Sequence, residues 1–472
     1  MTHPQSGVAA HARVARRTAE SFDEEFPQTL FGADQVIGRI HGAEHIVVRD
    51  VPVENGHERA DRVLTHRVHD EANGVLRSFH AATEAAGCEG RNAARRSATM
   101  TAPRPWHLLA PGQTPPRGAV TFPLIRRGVD HGTVVLGVVE PTPPADPDAA
   151  FDRDEPVLIP GVLGDALEDV DEQVAATWVA FDAFRAGARL LDDVASRLED
   201  AAPFVYAGSS FDLEELREIE KVFVDVPAAD TSHGRRIRDL WAKLSWIADD
   251  ESDTSMRIRM SFGHEATRDW LEQDVRAAWV DQLTARVFPE SRIVTGNDVV
   301  HSFLSGVLAA PHRLGECIVY SNAPGGGAVF HHDADPGQRG VAFAQLLGAT
   351  IWLACPRTEL ALHAADVARG LGAPAKFQDP DALAACFDAD DDPALHELLN
   401  ATPRLTQRLA EHGWLYVLMP GDVLLLPSHD PEHCAWHAVF GVGDAPSLGL
   451  SFGIFDAIPD LPGHPTPGVA AN

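Results

Sequence analysis

The sequence predicts an α+β protein whose C-terminal part is a double-sheet jelly-roll barrel. Two observations lead to this fold class. After residue 290, short runs of apolar and β-branched residues are separated by Gly and Pro, as is typical of jelly-roll strands. From residue 165 to 288, apolar residues instead recur every three or four positions, as is typical of amphipathic helices. With 472 residues, the chain is long enough for about two or three domains.

Residues 1–147 are expected to form an N-terminal α+β domain, to which the sequence assigns no role. Apolar residues at helical spacing predict a helix over residues 54–86. Runs of β-branched residues predict strands over 119–124 and 133–139. The stretch 140–148 is rich in proline and acidic residues, which indicates a linker between this domain and the rest of the chain.

Residues 157–290 are expected to form a helical segment that supports the barrel. The apolar spacing predicts amphipathic helices over residues 170–198, 213–222, 237–247 and 265–288. Each of these helices would bury one face, and together they would form a layer in front of the barrel.

The barrel is assigned to residues 291–458, and residues 459–472 are assigned to a tail. The strand-like runs in this part are short, and turn residues stand between them. Strands are predicted over residues 317–321, 328–333, 342–347, 350–354, 415–418, 423–426, 436–440 and 448–455.

A helical insertion, residues 357–419, interrupts the barrel strands. It is predicted to contain three helices, because a capping side chain stands directly before a proline at Asp379, Asp392 and Thr402. Gly413 is expected to end the last helix before the barrel resumes.

The charge and cysteine content restrict the function classes. Asp and Glu number 69 against 39 Lys and Arg, so the formal net charge is −30. Such a charge repels phosphate backbones and anionic lipids, which argues against nucleic acid or a membrane surface as a partner. The sequence has no run of about 20 apolar residues and no apolar core for a signal peptide. Its 5 cysteines form no CxxC pair, so we expect reduced thiols and a soluble, cytoplasmic protein.

One predicted strand ends in an H-x-D motif that can contribute two metal ligands. Alternate side chains of a strand share a face, so His331 and Asp333 are expected to point together into the barrel. A Pro-Gly-Asp turn at residues 420–422 later starts another strand, and histidines follow it. Two imidazoles and one carboxylate form the facial triad suited to non-haem Fe(II), which leaves further positions for oxygen and substrate. The candidates for the second imidazole are His429, His433 and His437.

The order of these motifs resembles the JmjC-type and cupin-like oxygenases, including the ribosomal-oxygenase branch. Between the H-x-D strand and the Pro-Gly-Asp turn stands a Q-x-x-G-x-x-x-W strand, from Gln345 to Trp352, followed by a proline. The resemblance covers residues 300–456 and implies a double-stranded β-helix with Fe(II) bound by His331, Asp333 and a distal histidine. His437 is favoured because an aromatic residue precedes it and an apolar strand follows it, as in the family. His433 and His429 remain alternatives.

The resemblance also implies a 2-oxoglutarate site, but the usual cationic anchor is missing. Where JmjC-type enzymes commonly carry a Lys on the Q-x-x-G strand, this sequence has Ala349 and Thr350. A buried dianion needs charge-matched donors, so another group must supply them. The arginine candidates are Arg313, Arg339 and Arg357. The other residues expected at a cosubstrate or substrate site are Tyr320, Asn322, Gln345, Thr350 and Trp352.

By this resemblance, the protein is expected to be a mononuclear Fe(II) oxygenase. It would use 2-oxoglutarate and molecular oxygen to hydroxylate or otherwise oxidise a C–H bond of a small metabolite, an amino acid or a peptide. Because Asp333 fills the position that chloride takes in related halogenases, halogenation is disfavoured. The missing lysine leaves open an oxygenase whose substrate chelates iron directly. A non-oxidative metal cupin and a non-catalytic scaffold are the remaining alternatives. The helices before the barrel resemble an arm that supports dimerisation, which implies a homodimer.

Overall fold

The computed structural model describes residues 106–126, 128–137, 146–167, 204–212, 217–227, 236–247, 257–264, 270–387 and 392–457. The strands in these ranges are β1 (Trp106–Leu109), β2 (Thr121–Arg126), β3 (Val129–Leu136), β4 (Val157–Ile159), β5 (Phe204–Asp212), β6 (Arg217–Pro227), β7 (Arg236–Ile247), β8 (Arg257–His264), β9 (His312–Asn322), β10 (Gly327–His331), β11 (Gln338–Leu347), β12 (Ala349–Pro356), β13 (Leu415–Leu418), β14 (Val423–Pro427), β15 (Ala435–Val442) and β16 (Ser447–Asp456).

The helices in these ranges have between 4 and 18 residues. They are α1 (Pro147–Phe151), α2 (Gly164–Leu167), α3 (Trp270–Val287), α4 (Arg292–Thr295), α5 (Asp298–Leu308), α6 (Arg357–Leu371), α7 (Pro380–Ala384), α8 (Pro393–Asn400) and α9 (Pro403–Glu411), with 3-10 turns at Pro289–Ser291 and Ala375–Phe377. Among the described residues, no helix is long and apolar enough to span a membrane.

The strands form three sheets, in which all the neighbouring strands are antiparallel. A 3-stranded sheet has the order β1-β3-β2, and a 4-stranded sheet has the order β10-β15-β12-β13. A 9-stranded sheet has the order β4-β14-β11-β16-β9-β8-β7-β6-β5. The mixture of helices with antiparallel sheets confirms the α+β class.

The two larger sheets face each other across a common interior core. In this core, Trp352 and Val439 come from the 4-stranded sheet, whereas Val341 and Phe343 come from the 9-stranded sheet. Side chains of a strand alternate between its faces, so these residues define the inner face of each sheet. The full set of buried members is Ala328, Val341, Phe343, Trp352, Ala354, Leu418, Leu424, Leu426, Ala435 and Val439.

Helices and a small sheet cover the two outer faces. Ile258 and Val319, on the outer face of the 9-stranded sheet, pack with Leu283 of α3 and Leu304 of α5. On the other side, α6 to α9 and the 3-stranded sheet cover the 4-stranded sheet, and Leu124 is one contributor. The 4-stranded sheet is therefore covered on both faces, which explains why every residue of β12 and β15 is buried.

The predicted strands of the C-terminal part are confirmed. Each of the eight predicted runs lies within or overlaps one of β9 to β16, and Leu415–Leu418 agrees at both ends. The strands predicted over 119–124 and 133–139 correspond to β2 and β3. The helix predicted over 54–86 lies outside the described residues, as does the one over 170–198.

Two predicted helices are wrong, because the chain forms strands there. β6 overlaps the helix predicted over 213–222, and β7 coincides with the one predicted over 237–247. In β7, Leu240, Ala242, Leu244 and Trp246 stand at every second position, so the apolar pattern fits a strand as well as it fits a helix. β7 pairs with β8, and β8 pairs with β9, so hydrogen bonding to the sheet favours the strand over the helix. The helix predicted over 265–288 is confirmed as α3.

As a result, the 9-stranded sheet runs across the predicted boundary at residue 291. β5 to β8 extend the sheet from β9, and β4 adds to its other edge beside β14. The region in front of the barrel therefore supplies strands to the same sheet as the barrel. The predicted domain boundaries themselves stay predictions.

The described residues of the helical insertion contain one helix more than predicted. Asp379 and Asp392 cap α7 and α8 as expected, and their side chains accept hydrogen bonds from Ala382 N at 2.9 Å and Ala394 N at 3.0 Å. Thr402 instead donates its hydroxyl to Glu397 O at 3.2 Å. The additional helix, α6, was not predicted, because its buried face consists largely of alanine and shows little hydrophobic contrast.

Candidate metal centre

Two neighbouring strands bring His331 and His437 together. β10 and β15 are antiparallel, and these two histidines are direct cross-strand partners. Their ring centroids are 4.2 Å apart with an interplanar angle of 54°. β10 ends at His331, so Asp333 lies in the loop that follows and not on the strand. Gln338 holds this loop by donating a hydrogen bond from Nε2 to Asp333 O at 2.8 Å.

An irregularity in β10 sets the register of His331. The pairing of β10 with β15 shifts between Ala328 and His331, so that β10 has one residue more than its partner. Residues outside the sheet satisfy the displaced backbone groups. Phe330 N donates to Asn400 Oδ1 at 2.8 Å, and Arg126 Nη1 donates to Ala328 O at 2.9 Å. β2 and α8 thereby stabilise the end of the strand that carries His331.

The imidazoles are oriented so that their Nε2 atoms face Asp333. His331 Nδ1 lies 2.8 Å from Val329 O, and His437 Nδ1 lies 3.4 Å from Ala435 O. Nε2 of His331 lies 3.7 Å from Asp333 Oδ1, and Nε2 of His437 lies 3.4 Å from Asp333 Oδ2. One atom from each of the three residues thus lies within 4.8 Å of the other two. We call these three residues the triad.

Burial and charge favour the protonation states that a metal requires. Burial lowers the pKa of His437 to about 3, and the neighbouring His331 adds to this effect. Burial by itself would raise the pKa of Asp333, but its electrostatic interactions with His437, His331 and Arg259 outweigh burial, and the net shift of the pKa is downward. Neutral imidazole and ionised carboxylate are the forms that ligate metals.

The triad fits a divalent transition metal with open coordination positions. Two imidazole nitrogens and one carboxylate oxygen converge from one side, which is the donor set typical of non-haem Fe(II) oxygenases. The side chain of His437 is 3 % exposed, whereas those of His331 and Asp333 are 35 % and 37 % exposed. The open side of the triad is therefore the side of His331 and Asp333.

The two alternative histidines lie apart from the triad. His433 is in the loop between β14 and β15, is 63 % exposed, and has its Nδ1 3.0 Å from Asp430 Oδ2. The ring of His429 stands edge-on to Phe151 with centroids 5.9 Å apart. The structure therefore brings His437 to His331 and Asp333.

Three of the predicted binding residues hydrogen-bond one another. Trp352 Nε1 donates to Thr350 Oγ1 at 3.0 Å, and the Thr350 hydroxyl donates to Gln345 Oε1 at 2.7 Å. Gln345 Nε2 donates to the carbonyls of Leu347 and Leu448 at 2.6 and 3.2 Å. The single hydroxyl proton of Thr350 is thus used within the protein.

This series of hydrogen bonds fixes an aromatic ring on a metal-site histidine. Trp352 stacks on His437 with ring centroids 5.3 Å apart and an interplanar angle of 25°. Since Trp352, Thr350 and Gln345 are all buried, we interpret them as residues that position His437. The sequence predicted that these residues bind a cosubstrate or substrate directly. Direct binding would need hydrogen-bonding groups that already bond within the protein.

The two predicted residues of β9 lie in or near the interior core. The ring of Tyr320 packs against this core, 6.4 Å from the ring of Phe343. Asn322 is buried, and its Nδ2 donates to Ser447 Oγ at 3.5 Å. Its Oδ1 has no hydrogen-bond partner among the described residues.

The three arginines that the sequence offered as anion anchors all bind other groups. Nη1 of Arg339 lies 3.1 Å from Oδ1 of the exposed Asp456. Gln338 faces Asp333, and Arg339 faces the other way because successive residues of a strand point to opposite sides. Arg357 donates from Nη1 to Pro431 O and from Nη2 to Ala384 O, both at 2.8 Å. Nη1 of Arg313 lies 3.5 Å from Asp281 Oδ2, and Cζ of Arg313 lies 4.4 Å from the ring centroid of Phe455.

Sequence reasoning missed Arg259, a residue of β8 whose positive charge acts on Asp333. β8 was not predicted as a strand. Its signal is the alternation of Ile258, Met260 and Phe262, which are buried, with residues of the opposite face. This period of two predicts a strand in which Arg259 lies on the face opposite to Ile258, Met260 and Phe262.

Comparisons with known proteins give only distant structural likeness. No protein-family model matches the sequence, and no curated protein matches it. YcfD, a ribosomal oxygenase from Escherichia coli, matches at 13 % identity and a TM-score of 0.19, over 45 % of this chain and 34 % of that chain. A 2OG-Fe(II) oxygenase family oxidoreductase from Burkholderia pseudomallei matches at 11 % identity and a TM-score of 0.23, over 66 % of this chain and 88 % of that one.

A third solved structure is the non-heme alpha ketoglutarate dependent epimerase SnoN from nogalamycin biosynthesis. It matches at 14 % identity and a TM-score of 0.27, over 68 % of this chain and 91 % of that chain. All of these scores are low.

Proposed function

We propose that this protein is a mononuclear non-haem Fe(II) oxygenase that uses 2-oxoglutarate as cosubstrate. With molecular oxygen, it would hydroxylate or otherwise oxidise a C–H bond of a small metabolite, an amino acid or a peptide. The observation that carries this proposal is the convergence of His331, Asp333 and His437, whose ligand atoms lie within 4.8 Å of one another.

The fold proposed for the catalytic part is a double-stranded β-helix over residues 291–458, with the insertion 357–419. Two antiparallel sheets that face each other around an interior core support this proposal. The triad belongs to β10, its following loop and β15.

The residues of the chain would perform three tasks. His331, His437 and Asp333 would hold Fe(II), which when bound supplies the redox chemistry and the sites for keto acid and oxygen. Trp352 and the hydrogen bonds behind it would keep the His437 ring in position. The open side at His331 and Asp333 would admit the substrate.

The composition of the sequence supports the substrate class proposed for this function. The net charge of −30 disfavours nucleic acid and anionic membranes, so a small molecule or a peptide is the substrate class that we propose. The cytoplasmic location and the homodimer inferred from the sequence stay predictions.

Anaerobic Fe(II) titration followed by oxygen uptake tests the proposal. We expect stoichiometric Fe(II) binding, and oxygen uptake that depends on 2-oxoglutarate and produces succinate. His331→Ala and His437→Ala should each weaken Fe(II) binding by more than about 100-fold, which exceeds the loss typical of an outer-shell residue. His433→Ala is the matched control, because this exposed histidine pairs with Asp430 instead.

Each other result would identify a different function. Oxygen uptake that needs substrate but no 2-oxoglutarate would indicate direct chelation of the substrate to iron. Turnover without oxygen would indicate a non-oxidative metal cupin. An absence of metal binding would indicate a non-catalytic scaffold and would overturn the proposal.

A further inference from the structure

Arg259 belongs to a row of residues that crosses four strands of the 9-stranded sheet. Arg259 on β8 is the cross-strand partner of Tyr320 on β9, which is the partner of Gly449 on β16. Gly449 is in turn the partner of Gln345 on β11. Directly opposed residues share one face of a sheet, and neighbouring strands lie about 4.8 Å apart. The row therefore runs along a single face.

This face is the inner one, toward the 4-stranded sheet. Gln345 accepts a hydrogen bond from Thr350 of the facing sheet, and Tyr320 packs against the interior core. On β8, Ile258 and Met260 belong instead to the core beneath α3 and α5. Since side chains alternate along a strand, Arg259 lies on the inner side.

Aromatic contacts connect the triad with Arg259. Trp352 stacks on His437, and the ring of Phe343 is 4.5 Å from that of Trp352. The Phe343 ring is 6.4 Å from the ring of Tyr320, which neighbours Arg259 across the strands. These rings give an apolar wall between a metal site and a guanidinium, which suits the methylene chain of a dicarboxylic acid.

Arg259 places a cationic side chain on this inner face. Its Nε atom is buried. Arg313, Arg339 and Arg357, the arginines that the sequence offered as anion anchors, bind groups elsewhere. A guanidinium offers a carboxylate two parallel hydrogen bonds, so Arg259 can replace the missing lysine chemically.

We infer that Arg259 binds a carboxylate at the inner wall beside Tyr320, and that this carboxylate is the distal one of 2-oxoglutarate. This inference rests on the proposed function. The same guanidinium could hold the carboxylate of an acidic substrate, so the experiment separates the two sources.

The experiment compares two keto acids that differ only at the far end. 2-Oxoglutarate carries the distal carboxylate, and 2-oxobutyrate has the same metal-binding end without it. Dissociation constants are measured by anaerobic calorimetry on the Fe(II)-loaded full chain, for the wild type and for Arg259→Gln. We expect the variant to bind 2-oxoglutarate about 10- to 100-fold more weakly, as for loss of a charged hydrogen bond. Its affinity for 2-oxobutyrate should not change.

Two further variants control for charge and folding. Arg259→Lys keeps the charge but loses the paired geometry, so its affinity for 2-oxoglutarate should fall between those of the wild type and Arg259→Gln. Arg339→Gln, which removes a surface ion pair, should bind both keto acids as the wild type does. If Arg259→Gln unfolds at a lower temperature than the wild type, the Lys variant serves for the comparison.

Equal affinity of the wild type and both Arg259 variants for 2-oxoglutarate would overturn the inference. An equal loss for both keto acids would also overturn it, because the distal carboxylate would then be irrelevant. Succinate added to the metal-free chain separates this inference from the proposed function. If the wild type binds no keto acid but succinate raises its unfolding temperature, and Arg259→Gln abolishes that rise, the subsite stands and serves a substrate carboxylate.

Discussion

Thr350 shows how a single hydroxyl can act on a metal ligand that it does not touch. It accepts from Trp352 Nε1 and donates to Gln345 Oε1. These two bonds hold Trp352 against His437, whose ring is stacked 5.3 Å away. Substitution of outer residues of this kind typically lowers metal affinity by about 10- to 100-fold.

We therefore expect Thr350→Val to raise the dissociation constant for Fe(II) by about 10-fold. The isosteric valine leaves the Trp352 Nε1 and the Gln345 Oε1 buried without their partner, which costs about 1–3 kcal/mol for each group. Anaerobic Fe(II) titration provides the measurement. Thr350→Ser keeps the hydroxyl and should bind Fe(II) as the wild type does; equal affinities of the Val and Ser variants would contradict this role.

At the scale of elements, the helical insertion supports the strand that carries the first ligand. Asn400, the last residue of α8, accepts from Phe330 N, and its carbonyl accepts from Arg126 Nη2 at 3.2 Å. These contacts stabilise the additional residue of β10 directly before His331. A helix inserted between strands thereby contributes to the geometry of the metal site.

Asn400→Ala should weaken Fe(II) binding, because Phe330 N then loses its acceptor and the end of β10 is no longer held. We expect about a 10-fold higher dissociation constant in the same titration. Asp392→Ala is the matched control, since it removes the cap at the other end of α8. This control should lower the free energy of unfolding by about 1 kcal/mol and leave Fe(II) affinity unchanged. The same Fe(II) affinity in both variants would rule out the positioning role.

The sequence was most informative where local patterns decide the structure. The strands of the C-terminal part and the caps at Asp379 and Asp392 depend on residues close in the chain, and they are confirmed. β6 and β7 could not be predicted in this way, because their apolar spacing fits two periods and their pairing with distant strands decides.

The same limit applies to the candidate site. H-x-D and a later histidine are visible in the sequence, and the structure brings His331, Asp333 and His437 together. The hydrogen bond between Thr350 and Gln345 depends on how the strands pair and pack. The pairing of Arg259 with Tyr320 depends on the same arrangement. Neither sheet register nor cross-strand partners can be read from residue types alone.

At the scale of the whole molecule, a buried histidine couples stability to pH. His131 of β3 is fully buried; its Nδ1 lies 2.8 Å from Thr406 Oγ1, and its ring is edge-on to Phe440 at 5.3 Å. Burial, followed by the positive charge of Arg126, lowers its pKa to about 4. The unfolded chain therefore takes up this proton at a higher pH than the folded protein does.

The contribution of His131 to stability is thus complete above its ordinary pKa of 6.5 and is lost as the pH falls toward 4. This loss amounts to about 3 kcal/mol. In His131→Phe, the free energy of unfolding should decrease less between pH 7 and pH 4, by about that amount. Urea unfolding at a series of pH values checks this. An identical decrease in the wild type and the variant would show that His131 titrates normally in the folded protein.

The continuity of the 9-stranded sheet has a consequence for dividing this chain. β9 pairs with β16 on one side and with β8 on the other. A shortened protein that begins at residue 291 would lose β8 and leave the backbone N–H and C=O groups of β9 exposed along one edge. Bare edges of this kind recruit strands from other molecules. Such a fragment would tend to aggregate, and it would lack Arg259 even if the triad assembled.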